Sequence, residues 1–299
     1  MAGRPQHPGG GPPSAAARPP GIPPHPQTLD GAAVLHQMFR FDRSTWRTLD
    51  NDTRFNIASE ASSVLSSMEG NETGGSALFS MLGHKGDLLV VHFRPDLEQV
   101  HQAELDLANL RLADFLEPTT SYVSVVELGL YDSSYKLYQD LKELELSPDS
   151  DEWAERVRTR MGEQAAAMAP RLDPAMPAHK YLCFYPMDKK RGEQINWYTR
   201  PIAERLQMMR EHGMIGRRYA GRVKQIISGS IGYDDWEWGV DLFADDPLVF
   251  KELIYEMRFD EASAVYADFG PFYISIRLAV AELGSWLDGS SPQFGTPSL

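Results

Sequence analysis

An α+β fold that uses one βαββαβ unit twice is predicted by three observations on this 299-residue chain. Short segments alternate apolar and polar residues, amphipathic stretches between them open on capping residues, and the two halves run through the same order of elements. In the first half, a strand is expected at 33–41, a helix from Ser44, strands at 77–82 and 87–93, a helix from Asp96 and a strand at 121–130. The second half repeats the order, with strands near 180–187, 222–230, 235–243 and 271–278 and helices at 201–212 and 247–257. Asp246-Pro247 gives the last of these helices a cap followed by a favoured first residue. The joining stretch holds a helix at 150–167, because Asp151 and Glu152 place acid at its positive end.

This reading divides the chain into a disordered Pro-rich tail at 1–28, an N-terminal ferredoxin-like domain at 29–145, a helical linker at 146–177, a C-terminal ferredoxin-like domain at 178–285 and a flexible tail at 286–299. Residues 1–28, rich in Pro, Gly and Ala, have too little apolar surface to offset chain entropy, and nothing downstream is expected to depend on them. A composition of 42% hydrophobic and 24% charged residues suits a globular protein. A formal net charge of −13 with no basic stripe argues against nucleic acid and anionic membranes. The single cysteine, Cys183, excludes an internal disulfide framework and fits a reducing cytoplasm. No apolar run reaches the roughly 20 residues of a spanning helix, so no stable membrane insertion is expected.

Chemistry concentrates in one segment. A strand over 181–189 places Tyr181, Cys183, Tyr185, Met187 and Lys189 on one face, so a phenol, a thioether and an ammonium share a wall. Pro201 then starts a helix on which Ile202, Leu206, Met209 and His212 recur at helical spacing, and Gly213 is expected to end it. Spacing leaves His212 open between a core histidine and a metal ligand. Zinc-type Cys/His clusters and the Cys-x-x-Cys-His attachment motif are absent. Ser228-Gly229-Ser230-Ile231-Gly232 reads as a turn, since no phosphate-loop ending follows it. In the run Asp234-Asp235-Trp236-Glu237-Trp238, alternation sends the tryptophans to one face and Asp235 and Glu237 to a solvent face.

From Arg171 onward, the blocks Arg171-Leu172-Asp173-Pro174, 181–187, Asn196-Trp197-Tyr198, 212–217, 225–230, 234–246 and 255–263 follow one another in order. This part of the chain closely resembles the coproheme decarboxylases of the chlorite dismutase-like family, whereas the first half is similar in pattern only. The resemblance implies a subunit of the dimeric α+β barrel type, a homopentamer, and two oxidative decarboxylations of Fe-coproporphyrin III (coproheme) by hydrogen peroxide that yield haem b. The iron porphyrin is then substrate and redox centre together, with a transient contact to a coproporphyrin ferrochelatase as its source.

The resemblance also assigns roles. His212 is implied as the iron ligand. Tyr185 is implied as a radical relay that takes hydrogen from a propionate, and Lys189, on the same strand face, as a proton donor or carboxylate holder. Arg171, Ser263 and the run Tyr185, Pro186, Met187, Asp188 and Lys189 match the propionate contacts. Met187 and Trp197 pack near the ring or form ordinary core, and Gln225 stands where chlorite-degrading relatives carry arginine. Two other readings are a haem-binding carrier without turnover, for which Tyr185 has no use, and a chlorite dismutase or haem peroxidase, against which Gln225 speaks.

Overall fold

Strands and helices alternate through the described residues, 22–69 and 74–290 of a computed structural model. The first half runs β1 (Thr28–Phe41), α1 (Arg43–Trp46), α2 (Asn51–Met68), β2 (Gly75–Met81), β3 (Leu88–Arg94), α3 (Leu97–Ala108) and β4 (Leu116–Gly129). Two helices follow, α4 (Tyr131–Glu143) and α5 (Asp151–Leu172). The second half runs β5 (Tyr181–Lys189), α6 (Ile202–Arg218), β6 (Lys224–Gly229), β7 (Trp238–Ala244), α7 (Leu248–Met257), α8 (Glu261–Ala264), β8 (Ala267–Phe269), β9 (Tyr273–Leu278) and α9 (Leu283–Leu287). Side-chain caps account for several helix starts: Asp50 accepts from the Thr53 amide, Asp96 from Gln99 and Ser150 from Trp153.

The strand order is β4-β1-β3-β2 in the first half and β6-β7-β5-β9 in the second, all antiparallel, so each half has the ferredoxin-like order. Pairing of β4 with β6, through Val125↔Gly229, and of β2 with β9, through Leu78↔Leu278, joins the halves into a closed barrel with β8 added alongside β5. Closure removes the sheet edges that each half would expose alone. Alternation sorts the side chains. Val34, Phe79, Val91, Tyr122, Leu182, Phe184 and Phe243 fill the barrel, whereas Cys183, Tyr185, Val240 and Leu242 face outward beneath Ile215 of α6 and Val249, Phe250 and Leu253 of α7. On the first half, α2 and α9 cover the outward Leu78, Leu88 and Val90. Gly31 permits the close approach of α5 to β1, because a side chain there would stand 2.1 Å from the Leu172 carbonyl oxygen.

The structure corrects the sequence reading in five places. Residues 1–21 lie outside the described part, but residues 22–27 are docked rather than disordered. Ile22 packs against the cluster of Tyr138, Leu141, Trp153 and Ile202, and the Gln27 amide donates to Ser134 Oγ at 2.8 Å. Strand β1 already begins at Thr28. At the other end Trp286 and Leu287 are buried in the core, so the expected flexible tail at 286–299 begins too early; residues 291–299 lie outside the described part. Helix α4, which the sequence reading missed, forms at Tyr131–Glu143, ahead of the expected linker and inside the stretch assigned to the N-terminal domain. Helix α6 passes through Gly213 and ends only at Arg218, shortly before Gly221 at φ +83; packing along the helix outweighs the modest cost of an interior glycine.

Candidate active site

The wall of the site is the outward face of β5. Tyr185 is 4% exposed, its ring stacked on Phe272 at 4.5 Å between centroids and tilted against Phe269 at 5.8 Å. Burial raises its phenol well above the ordinary range, so the group stays protonated. Its hydroxyl makes no hydrogen bond among the described residues, leaving the O–H free for a substrate atom. Met187 lies further along the same face, half-buried among the same aromatic rings.

Helix α6 crosses this face and carries His212. The imidazole Nδ1 lies 3.1 Å from Asp260 Oδ2 and 3.3 Å from Ser263 Oγ, and its Nε2 makes no hydrogen bond among the described residues. Asp260 is placed by its own capping of α8, where Oδ1 accepts from the Ser263 amide at 3.0 Å and Oδ2 from the Ser263 hydroxyl at 3.0 Å. Burial works to raise the Asp260 pKa, but the bonds and charge of His212 and the bonds from Ser263 outweigh it and leave the carboxyl below its usual value. A carboxylate that grips one ring nitrogen fixes the tautomer and the imidazole's orientation and leaves the other nitrogen to a ligand, the arrangement of a metal-ligating histidine. The His212 side chain keeps 24% exposure, so the free nitrogen is not sealed in core.

Lys189 ends the strand. Its side chain is buried, donates through Nζ to the Ala262 carbonyl at 2.7 Å and lies 4.5 Å from the centre of the Trp197 ring. Burial lowers its pKa to about 8, against the opposing charges of Asp260 and Glu237. Glu237 is itself buried, accepting the Lys189 amide at 3.0 Å and the Tyr198 hydroxyl at 2.7 Å, and its Oε1 lies 3.3 Å from Arg191 Nε. This corrects the solvent-facing placement of Glu237, because its carboxylate satisfies the turn between β5 and α6.

The remaining expected residues divide. Trp197 is buried beneath Lys189, and Gln225 lies near α6, its Oε1 4.0 Å from where a Gly216 Cβ would stand. Ser263 is tied to His212 and Asp260, on the ligand side of the site. Pro186 and Asp188 alternate to the opposite face of β5, where Pro186 lines a separate cavity of about 440 Å³ and Asp188 Oδ1 accepts the Glu237 amide at 2.7 Å. Arg171 is exposed at the end of α5, and its Nη1 lies 3.8 Å from Met168 Sδ of its own helix. Sequence reasoning missed Asp260, Glu237, Phe269 and Phe272. Among the described residues, no three His, Cys, Asp or Glu side chains cluster to hold a bare metal ion. One free imidazole nitrogen, aromatic walls and a buried lysine instead fit an iron already carried in a flat macrocycle.

Residues 54–278 match the family model for chlorite dismutase. The chain belongs to that family. Within the family it is 42% identical over 256 residues to the coproheme decarboxylase of Staphylococcus saprophyticus, a span covering 85% of this chain and 94% of that protein. It is 41% identical to that of Staphylococcus carnosus, over 83% of this chain and 92% of that protein. Among solved structures, a heme-binding protein of Thermus thermophilus superposes with a TM-score of 0.75 at 37% identity, covering 90% of this chain and 99% of its own. A chlorite dismutase variant from Candidatus Nitrospira defluvii reaches a TM-score of 0.65 at 16% identity, over 87% of this chain and 96% of its own, a likeness of fold alone.

Proposed function

We propose that this protein is a coproheme decarboxylase, converting two propionates of Fe-coproporphyrin III to vinyl groups with hydrogen peroxide and releasing haem b. The observation that carries this reading is the pairing of a carboxylate-held histidine, free at Nε2, with a buried redox-capable tyrosine and a buried lysine. A carrier would need the first and has no use for the others. Per propionate the balance is one carboxylate, one peroxide and one proton in, and one vinyl group, one carbon dioxide and two waters out. The substrate's own iron supplies oxidising capacity.

His212 would hold that iron through Nε2, with Asp260 fixing the ring. Tyr185, kept protonated at rest by burial, would first give up its phenolic hydrogen as a proton and an electron to the oxidising capacity that peroxide confers, and the phenoxyl so formed would take a hydrogen atom from the propionate carbon next to the macrocycle, regenerating the phenol. Lys189, an ammonium at neutral pH, would pair with the carboxylate or supply the proton. Phe269 and Phe272 exclude water from the phenol. Gln225 beside α6 offers no fixed cation for an anionic oxidant, which argues against chlorite turnover.

Assembly as a homopentamer, a cytoplasmic location and supply of coproheme by a ferrochelatase belong to the same reading. Leu248, Tyr255 and Phe259, all more than 60% exposed on and just after α7, support burial against further copies. No helix among the described residues is long and apolar enough to cross a membrane. The direct test is to titrate the coproheme-loaded protein with peroxide and weigh the porphyrin. Stepwise formation of a monovinyl species and then haem b is expected, and unchanged coproheme would refute the reading.

A further inference from the structure

Arg205 has no role in the chemistry above, yet it is 3% exposed on α6, two turns ahead of His212. Its neighbours in sequence pair normally, Arg200 with Glu204 and Arg210 with Asp132. Arg205 forms no ion pair among the described residues. Its Nη2 donates to the Pro24 carbonyl, its Nε has no partner among the described residues, and the guanidinium lies 5.9 Å from the centre of the Trp197 ring. The partly buried Tyr131 packs against the same cluster, its phenol within reach of both the guanidinium and the indole, and Lys189 Nζ sits 4.5 Å from the same indole.

Two buried cations, a phenol and an indole therefore gather at one place; Lys189 has the charges of Asp260 and Glu237 to oppose its own, whereas Arg205 has, among the described residues, the Pro24 carbonyl and no counter-charge. Removing a cation from water without a counter-charge is costly, and a guanidinium offers five donors in a fork that suits a carboxylate. The surplus of donors calls for an anion. Seven residues separate Arg205 from His212, about 10 Å along the helix axis, which is the scale of half a porphyrin with its side chains. We infer that Arg205 is a carboxylate-binding residue, completing with Tyr131 and Lys189 a cradle for one peripheral carboxylate of the porphyrin.

The inference rests on the coproheme reading, and the test separates the two. Coproheme and its tetramethyl ester are titrated, by absorbance, into the full-length protein and its Arg205→Gln and Arg205→Lys variants. The native protein should prefer the acid, and Arg205→Gln should lose about 10–100-fold of that preference, the scale of a hydrogen bond to a charged group. Ester binding should stay nearly constant, and Arg205→Lys should keep part of the preference. Equal weakening toward acid and ester in Arg205→Gln, or an unchanged preference in both variants, would overturn the inference. So would a variant that loses affinity for inorganic phosphate alone, since the anion held is then not the porphyrin's. Native protein that binds neither porphyrin sinks the coproheme reading itself, and the Arg205 assignment with it.

Discussion

Tyr185 packs through its ring and is free at its hydroxyl, so Tyr185→Phe removes the reactive atom with little change of volume. Coproheme affinity should stay within a few-fold while decarboxylation falls by roughly 10²–10⁴-fold, the scale of losing a positioned hydrogen-transferring group; haem b formed at a near-native rate by the variant, identified by mass, would end the role assigned to the phenol. Lys189 gives a pH test. Its folded pKa of about 8 lies below the ordinary 10.5, so the ammonium dominates below about 8 and is lost above it. Turnover should decline on the alkaline side with a midpoint near 8, and Lys189→Met should abolish that limb. The linked stability runs the other way: the buried charge costs stability below about 8, and the cost is relieved as pH rises from there toward 10.5. The shared strand face of Tyr185 and Lys189 was legible from alternation and the inward helical stripe of His212 from spacing, whereas the roles proposed for the three come from the resemblance. Asp260 and Glu237 were not legible. Each is an acid outside any regular element, one capping a four-residue helix and one just ahead of a strand, where no periodicity reports burial.

Elements were legible wherever a long period recurred, as in β5 and α6, and lost where polar composition hid a helix. Helix α4 buries only Ser134, Tyr138 and Leu141, too sparse a stripe to show against its charged residues. The segment before β1 escaped for a related reason: it docks mostly through its own backbone, which composition does not report. The Tyr138 hydroxyl donates to the His25 carbonyl at 3.2 Å and accepts from Gln27 Nε2 at 2.8 Å, while Arg205 holds the Pro24 carbonyl. Two truncations should therefore differ. Removing residues 1–27 deletes these bonds and the Ile22 contact and should cost about 2–4 kcal/mol, at around 1 kcal/mol per hydrogen bond, with weaker retention of coproheme. A start at residue 22 keeps all of them. Equal melting temperatures for the two truncated proteins would show that the segment contributes nothing.

At the scale of the whole molecule, the closed barrel makes the halves interdependent, and one buried contact expresses this. His36 Nε2 of β1 lies 2.8 Å from Asp241 Oδ1 of β7, both side chains fully buried and 205 residues apart, with the imidazole stacked on Phe184 at 4.0 Å. Among the described residues, their other atoms, His36 Nδ1 and Asp241 Oδ2, have no partner, and neither do the buried hydroxyls of Ser124 and Ser228. Asp241→Leu strands a buried imidazole and should cost about 3–5 kcal/mol, the usual penalty for breaking a buried pair, whereas His36→Leu combined with Asp241→Leu should recover much of that because no polar group is then left unpaired. Denaturant unfolding followed through tryptophans of both halves, Trp46 and Trp286 in one and Trp197 in the other, should show a single shared transition in every variant. Separate transitions for the two halves, or a double variant as unstable as the sum of the single ones, would mean that the halves stand independently and that the pair does not join them.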